Sequence, residues 1–316
     1  MSVADPSLQP DLTDSNETQV AAVEGIVREG VVTAIPKESR MDEIRRFIRT
    51  QPLGVLSLVI IGAFLVIAIL APWIAPFDPV AQDRTSFLVG PNGSHWFGTD
   101  ELGRDILSRI IHGSRISLYV GAATTVGSFV IGSIVGLLAG YLGGKVDAVA
   151  QSVIDALLTV PPLVLALFIA ALLGPSVRNV VIALTILQIP RMARIARGEM
   201  QRIKSLDFVE SATALGSGPM RIMLLHGFPN MLPSLIVVAS LGFGGAIIAE
   251  ASLSFLGVGT PPPNPSWGLM LSNGSSYFQI APWLVIFPGV AISLIVLAFN
   301  LFGDTLRDFL DPKLVR

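Results

Sequence analysis

The 316-residue chain contains no cysteine, which excludes disulfides, thiolate catalysis and cysteine-based metal sites. Charge is also scarce. Asp, Glu, Lys and Arg make up 14% of the sequence, against about 25% in soluble domains. Histidine is limited to His95, His112 and His226, all in predicted loops, and HExxH is absent. An intramembrane serine hydrolase needs a histidine at membrane depth, and none is expected there. There is no GxxxxGK[ST], so the chain is not expected to hydrolyse ATP itself. The net charge of −2, with no large basic patch, gives no footing for nucleic acid.

What is present is apolar length. Hydrophobic residues are 52% of the chain and mean hydropathy is +0.68. A spanning helix needs about 20 apolar residues. Six runs qualify, at 53–75, 116–141, 149–173, 179–195, 232–258 and 281–302. The second is rich in glycine and small residues. The third is interrupted by Asp155 and Pro161-Pro162, and the fourth carries Pro190 and Arg191 near its end. None alternates with the period of two that a lipid-facing barrel requires. The predicted fold is therefore all-α, an integral membrane bundle of six helices.

Residues 1–36 set six acids against Arg28 and lack aromatics, so a disordered acidic tail is predicted. They also lack the basic start of a cleavable signal, and the first apolar run is expected to be an uncleaved anchor. In 37–51, Met41, Ile44, Phe47 and Ile48 recur at helical spacing opposite Arg45, Arg46 and Arg49. This fits an interfacial amphipathic helix, or equally a stop-transfer charge cluster. With the N-terminus inside, fifteen Lys and Arg fall on the cytoplasmic side and five outside. That asymmetry places both termini in the cytoplasm. The membrane-embedded body then spans 52–316, with external loops at 77–115 and 259–280 and a long cytoplasmic loop at 194–230.

The cytoplasmic loop is too apolar for a linker. Residues 205–216 read as one short helix with Leu206, Val209 and Ala212 on a face. Gly216 and Gly218 break it, and Pro219 suits the start of a second helix, expected to end near His226-Gly227. The result is a helix–turn–helix elbow, which either packs on its own bundle or meets another protein. In the first external segment, Glu101/Arg104 and Asp105/Arg109 are spaced as helical ion pairs, predicting an amphipathic helix on the outer surface. Trp267, Tyr277 and Trp283 are expected as interfacial anchors, with Trp267 also open to a gating or docking role. Glu250 lies inside a span with Ser252 and Ser254 on a small-residue face. It either bonds a neighbouring helix or lines a passage and meets a cationic solute group.

Several of these segments resemble one family. Glu210-Ser211-Ala212, Gly216, His226 and Pro229-Asn230 are similar to the EAA loop of ABC-importer permeases. Ser211 stands for the usual alanine, and Gly227 for a bulky residue. Phe97-Gly98-Thr99-Asp100-Glu101-Leu102-Gly103-Arg104-Asp105, the stretch 251–257 with 261–268, and Asn300 to Pro312 resemble the "C"-type subunit of dipeptide, oligopeptide and nickel permeases. The resemblance covers roughly 52–316.

It implies the type I ABC-importer permease fold, with this chain as a non-catalytic half of a passage. It implies coupling to ATPases through Glu210, Ser211, Ala212, Ala214, Gly216, Met220, Arg221, His226 and Pro229. It further implies docking of a solute-binding protein near Asp100, Arg104 and Trp267, and a second, homologous permease as partner. One or two ATPase subunits would carry the ATP and magnesium, no cofactor being bound by this chain. The site would be the plasma membrane of a bacterium or archaeon. The competing expectations are a stand-alone proton-coupled carrier using Glu250, and an intramembrane hydrolase.

Overall fold

The computed structural model describes residues 51–310. The acidic tail and nearly all of the interfacial segment at 37–51 lie outside the described residues. The chain runs as α1 (Pro52–Ile74), a 3-10 turn (Arg84–Ser86), α2 (Ile106–Leu142), α3 (Gly144–Thr159), α4 (Pro162–Leu173) and α5 (Val177–Lys204). It continues as α6 (Asp207–Ala214), α7 (Pro219–Arg221), a π-helical turn (Ile222–Gly227), α8 (Phe228–Phe255), α9 (Trp267–Ser275) and α10 (Trp283–Leu310). No strand occurs among the described residues.

Among the described residues five helical runs are long and apolar enough to cross a membrane: α1, α2, α5, α7 through α8, and α10. A sixth span exists if α3 and α4 are one broken crossing, since they bend by 92°. Pro161 and Pro162 cause that break, because neither offers an N–H and each disfavours helix in the residue before it.

The pairing of α2 with α5 organises the bundle. In lipid, helices gain nothing from water exclusion and associate by close van der Waals contact at small residues. On α2, Gly132, Gly136 and Gly140 form such a face. A Cβ on Gly132 would overlap the Met192 side chain, one on Gly136 the Ala193 carbonyl and Ala196, and one on Gly140 the Arg197 carbonyl. Against this pair lie α8 and then α10, with α1 packed on α10 and α2. The outward side of α1, including Leu53, Val59, Ile69 and Trp73, stays bare, as a lipid-facing helix should.

Three sequence expectations change. No separate amphipathic helix forms on the outer surface. Residues 101–104 make a turn, and the helix that starts at Ile106 continues unbroken into the span. Asp105 sets that start: its carboxylate accepts from Ser108 N (2.8 Å) and Ser108 Oγ (2.7 Å), so it caps α2 instead of pairing with Arg109. Second, the external stretch 259–280 contains a helix, α9, capped by Ser266. Third, His112 lies within α2 and His226 within the π-helical turn, not in loops.

The glycine face generates a prediction. Gly136→Leu should destabilise the purified protein by about 1–3 kcal/mol, the usual cost of overpacking. Gly62→Ala, where a Cβ meets nothing within 4 Å, should be neutral. Thermal unfolding in detergent compares them; equal midpoints would refute the packing account.

Candidate functional site

The elbow is built by a short amphipathic helix, a left-handed turn and a π-helical root. Asp207 and Glu210 sit in the first turn of α6, where the helix dipole favours negative charge. The helix closes at Gly216, whose φ of +84° is accessible to glycine but strained for other residues. Ser217 N reaches back to the Ala212 carbonyl at 3.0 Å and Gly216 N to Thr213 at 2.9 Å. These bonds satisfy the carbonyls that a helix end leaves open. Pro219 then starts the second arm.

The second arm does not stop at His226-Gly227, as its sequence suggested. It passes through the π-helical turn directly into α8, so Pro219–Phe255 is one continuous 37-residue run. A wider, π-type turn leaves room for the Pro229 ring, which would otherwise press on the carbonyl one turn back. Gly227 is needed here for a second reason: any Cβ would strike the Met200 sulfur at 2.6 Å.

Burial divides the elbow sharply. At its root, Val209, Ile222 and Met223 join Leu137, Met192, Met200, Ile203 and Met231 in one buried cluster. At its tip, Leu215 is 88% exposed, and Phe208, Met220, Leu224 and Leu225 are also bare. Glu210, Ser211, Ala214, Gly216, Arg221 and Pro229 are all exposed, while Ala212 and His226 are half-buried. The tip thus presents bare apolar side chains while its root is packed into the bundle.

A groove runs along α8 above the elbow. Its inner part, about 180 Å³, is lined by Ser128, Leu184, Gln188, Arg191, Gly242, Gly245 and Ala249. Its wider part, about 450 Å³, continues past Arg191 to Ser234, Val237, Leu241 and Arg307. Gln188 Nε2 donates to the Gly242 carbonyl at 3.0 Å, and its Oε1 accepts from Ser128 Oγ at 3.3 Å. Sequence reading passed over this set. The signal available was Arg191 interrupting an apolar run beside Pro190.

Glu250 is fully buried and lines no part of this groove. Ser254 Oγ donates to it at 2.7 Å, and Ser117 Oγ of α2 lies 3.5 Å away. Thr260 and Ser266 of the outer loop also sit beside it. Ser254 is buried with it. Ser252 is half-buried, bonds the Ile248 carbonyl, and faces a separate lateral cavity with Phe255 and Leu271. The three residues therefore do not share one surface.

Asp100, Arg104 and Trp267 were expected to meet a binding protein, and the structure places all three inside the fold. They are 3%, 6% and 0% exposed. Arg104 Nε pairs with Asp100 at 2.6 Å, Arg104 also reaches Glu101 at 3.1 Å, and Arg109 lies 3.6 Å from Asp100. Trp267 donates to the Ile110 carbonyl at 3.0 Å and packs edge-on against Phe64, so it is no interfacial anchor either. These groups are inside because the outer loop folds back over α2 and needs partners for its own desolvated charges. Nearby, Asp83 is fixed by Thr85 and Ser86, whose hydrogen bonds hold its carboxyl below the usual range. Among the described residues no cluster of His, Asp and Glu is placed to hold a metal.

Burial of the Asp100 network carries its own test. Asp100→Ala removes the carboxylate that two buried guanidinium groups share and should cost about 3–5 kcal/mol of stability, read as a lowered unfolding temperature in detergent. Unchanged stability with selectively weakened binding-protein affinity would restore the docking role.

Comparison with known proteins follows the same lines. Residues 132–316 match the family described as "Binding-protein-dependent transport system inner membrane component". Residues 39–91 match the "N-terminal TM domain of oligopeptide transport permease C". The dipeptide transport system permease protein DppC of Alkalihalophilus pseudofirmus is 42% identical over 267 residues, covering 84% of this chain and 88% of that protein. The probable D,D-dipeptide transport system permease protein DdpC of Escherichia coli is 43% identical, covering 84% and 89%. The glutathione transport system permease protein GsiD of Pectobacterium atrosepticum is 43% identical, covering 85% and 90%. Among solved structures, a chain of the MetNI methionine ABC transporter in an inward facing form superimposes with a TM-score of 0.54. It is 19% identical and covers 64% of this chain and 96% of that one, which shows a shared fold. With its helical bundle, its elbow and these relatives, the chain belongs to the inner membrane components of binding-protein-dependent transport systems, in the permease C group of ABC importers.

Proposed function

We propose that this chain forms half the passage of an ATP-driven importer for di- and oligopeptides or related small solutes, and that its elbow is gripped by an ATPase subunit. The observation that carries the reading is the elbow's division into a buried root and a bare tip, with the root continuous into α8. A tip with exposed Phe208, Leu215 and Met220 offers a partner an apolar contact. A root packed on Met200 and Met231 resists bending, so a push on the tip turns α8 as a body. The peptide class rests on relatives named for dipeptide, D,D-dipeptide and glutathione transport.

The partners follow from the mechanism. A second permease closes the groove along α8 into a passage. ATPase subunits hold ATP and magnesium and draw the elbows together, which opens the passage outward. A solute-binding protein delivers the cargo to that side, and hydrolysis resets the bundle. Both termini and the elbow are cytoplasmic in this reading, with support from the Lys and Arg distribution. A proton-coupled carrier working through Glu250 is disfavoured, since that carboxylate is sealed from the groove.

Gly216→Val or Glu210→Lys should reduce peptide uptake to background while membrane levels and span insertion stay normal. Gly216→Val forces a β-branched residue into a left-handed turn, and Glu210→Lys reverses charge on the exposed face. Uptake by reconstituted transporter, with copurification of the ATPases as a second readout, checks both. Wild-type uptake by both variants would refute the coupling role.

A further inference from the structure

We propose that Arg191 and Arg307 form a station for the carboxylate of the cargo within this chain's share of the passage. The inference rests on the groove along α8 being that passage. Two polar contacts fix the register of α5 against α8: Gln188 with the Gly242 carbonyl (3.0 Å) and Glu199 with Ser234 Oγ (2.8 Å). Arg191 therefore stands beside Val238 and Leu241. On the other flank, Gly303 of α10 packs on Ser240 and Leu241, which sets Arg307 one turn further along, beside Val237. Both guanidinium-bearing residues line the same 450 Å³ cavity.

Neither arginine has a carboxylate partner among the described residues. In the same half of α5, Arg194 pairs with Asp155 at 2.5 Å, Arg197 with Asp147 at 2.5 Å, and Arg202 with Glu199 at 2.9 Å. Glu199 is thus occupied by Arg202 and Ser234. Asp304 and Asp308 flank Arg307 in the sequence, but neither forms an ion pair with it among the described residues. The remaining wall is largely aliphatic, from Ile195, Val237 and Leu241, with the Ser234 hydroxyl turned to Glu199. Two arginines without a described carboxylate partner, lining one largely aliphatic cavity, give a site of net positive charge that lacks its anion.

The chemistry selects a carboxylate. A guanidinium presents its N–H groups in a planar fork that matches a carboxylate with two parallel hydrogen bonds. The cavity lies within the range of about 300–1,000 Å³ that small-ligand sites occupy, which suits a short peptide. A peptide's free C-terminus is the anion that every such cargo carries, whatever its side chains. A station that reads only this group accepts varied sequences, as a peptide passage must. Its charge also opposes Lys and Arg side chains, so strongly cationic peptides should pass more slowly.

Among the described residues neither side chain holds the fold together through an ion pair, so both can be replaced cleanly. The complete transporter is reconstituted with its binding protein. A short peptide that the binding protein holds as both free acid and C-terminal amide is supplied at saturation. The wild-type complex should import the acid faster. Arg191→Gln and Arg307→Gln should lower acid import about tenfold, the scale of one charge-assisted contact, bring it to the rate of the amide, and so erase the preference. Arg191→Lys should restore part of it.

Gly245→Trp is the control for the groove, because a side chain there enters open space. It should block both peptides. Free import by Gly245→Trp would overturn the passage reading itself. A block by Gly245→Trp, with the acid preference absent in wild type or intact in both glutamine variants, would overturn the carboxylate station alone. Equal loss for acid and amide that disappears in vesicles of neutral lipid would assign the anion to lipid phosphate and likewise overturn it.

Discussion

Backbone-to-backbone approach of α2 and α5 across Gly132, Gly136 and Gly140 governs the rest of the molecule. Hydrocarbon gives helices no hydrophobic reason to associate, so contact area must come from removing side chains at the seam. With the seam closed, Met192, Met200 and Ile203 of α5 are carried to the elbow end of the bundle beside Leu137. There they make the seat on which Val209, Ile222, Met223 and Met231 close. Methionine suits that seat, being unbranched and able to fill an irregular gap between three helices. The absence of a side chain at Gly227 completes it by admitting the Met200 sulfur.

In the proposed mechanism lever and passage share one element. The second arm of the elbow becomes α8 without a break, and α8 is also the long wall of the groove. Any displacement of the tip must therefore appear at Val238, Leu241 and Gly245. The outer end of the same helix is held differently. Glu250 gathers hydroxyls from α2 and α8, with Thr260 and Ser266 of the outer loop beside it. Gly259 and Gly268 bring that loop against Ser254 and Ala251. The buried carboxylate thus ties the loop to the helix and positions the outer mouth.

The helical bundle was legible in the sequence because long uncharged runs have few solutions in lipid. The proline break in the third run and the turn at Gly216 were legible for local steric reasons. Contacts distant in sequence were not. The pairing of Arg109 with Asp100, in place of the nearby Asp105, depends on the outer loop folding over α2. Spacing alone made Asp105 look like an ion-pair partner, whereas it caps the helix. Trp267 has the composition of an interfacial anchor, yet its indole N–H finds the Ile110 carbonyl in the interior. The continuity of the elbow with α8 was hidden because glycine and proline at 227 and 229 ordinarily end a helix, and a π-helical turn absorbs them. Arg191 and Arg307 are 116 positions apart, and only α8 between them brings them to one cavity.

The central claim is that elbow and α8 move as one rigid body. Since the chain has no cysteine, spin labels can be placed on it without interference, at Leu215→Cys on the exposed tip and Ile236→Cys on α8. In the assembled transporter, ATP binding should leave the 215–236 distance unchanged while the distance between the elbow tips of the two permeases shortens. A shift in the 215–236 distance on ATP binding, showing the tip swinging about the π-helical turn while α8 stays still, would contradict the account.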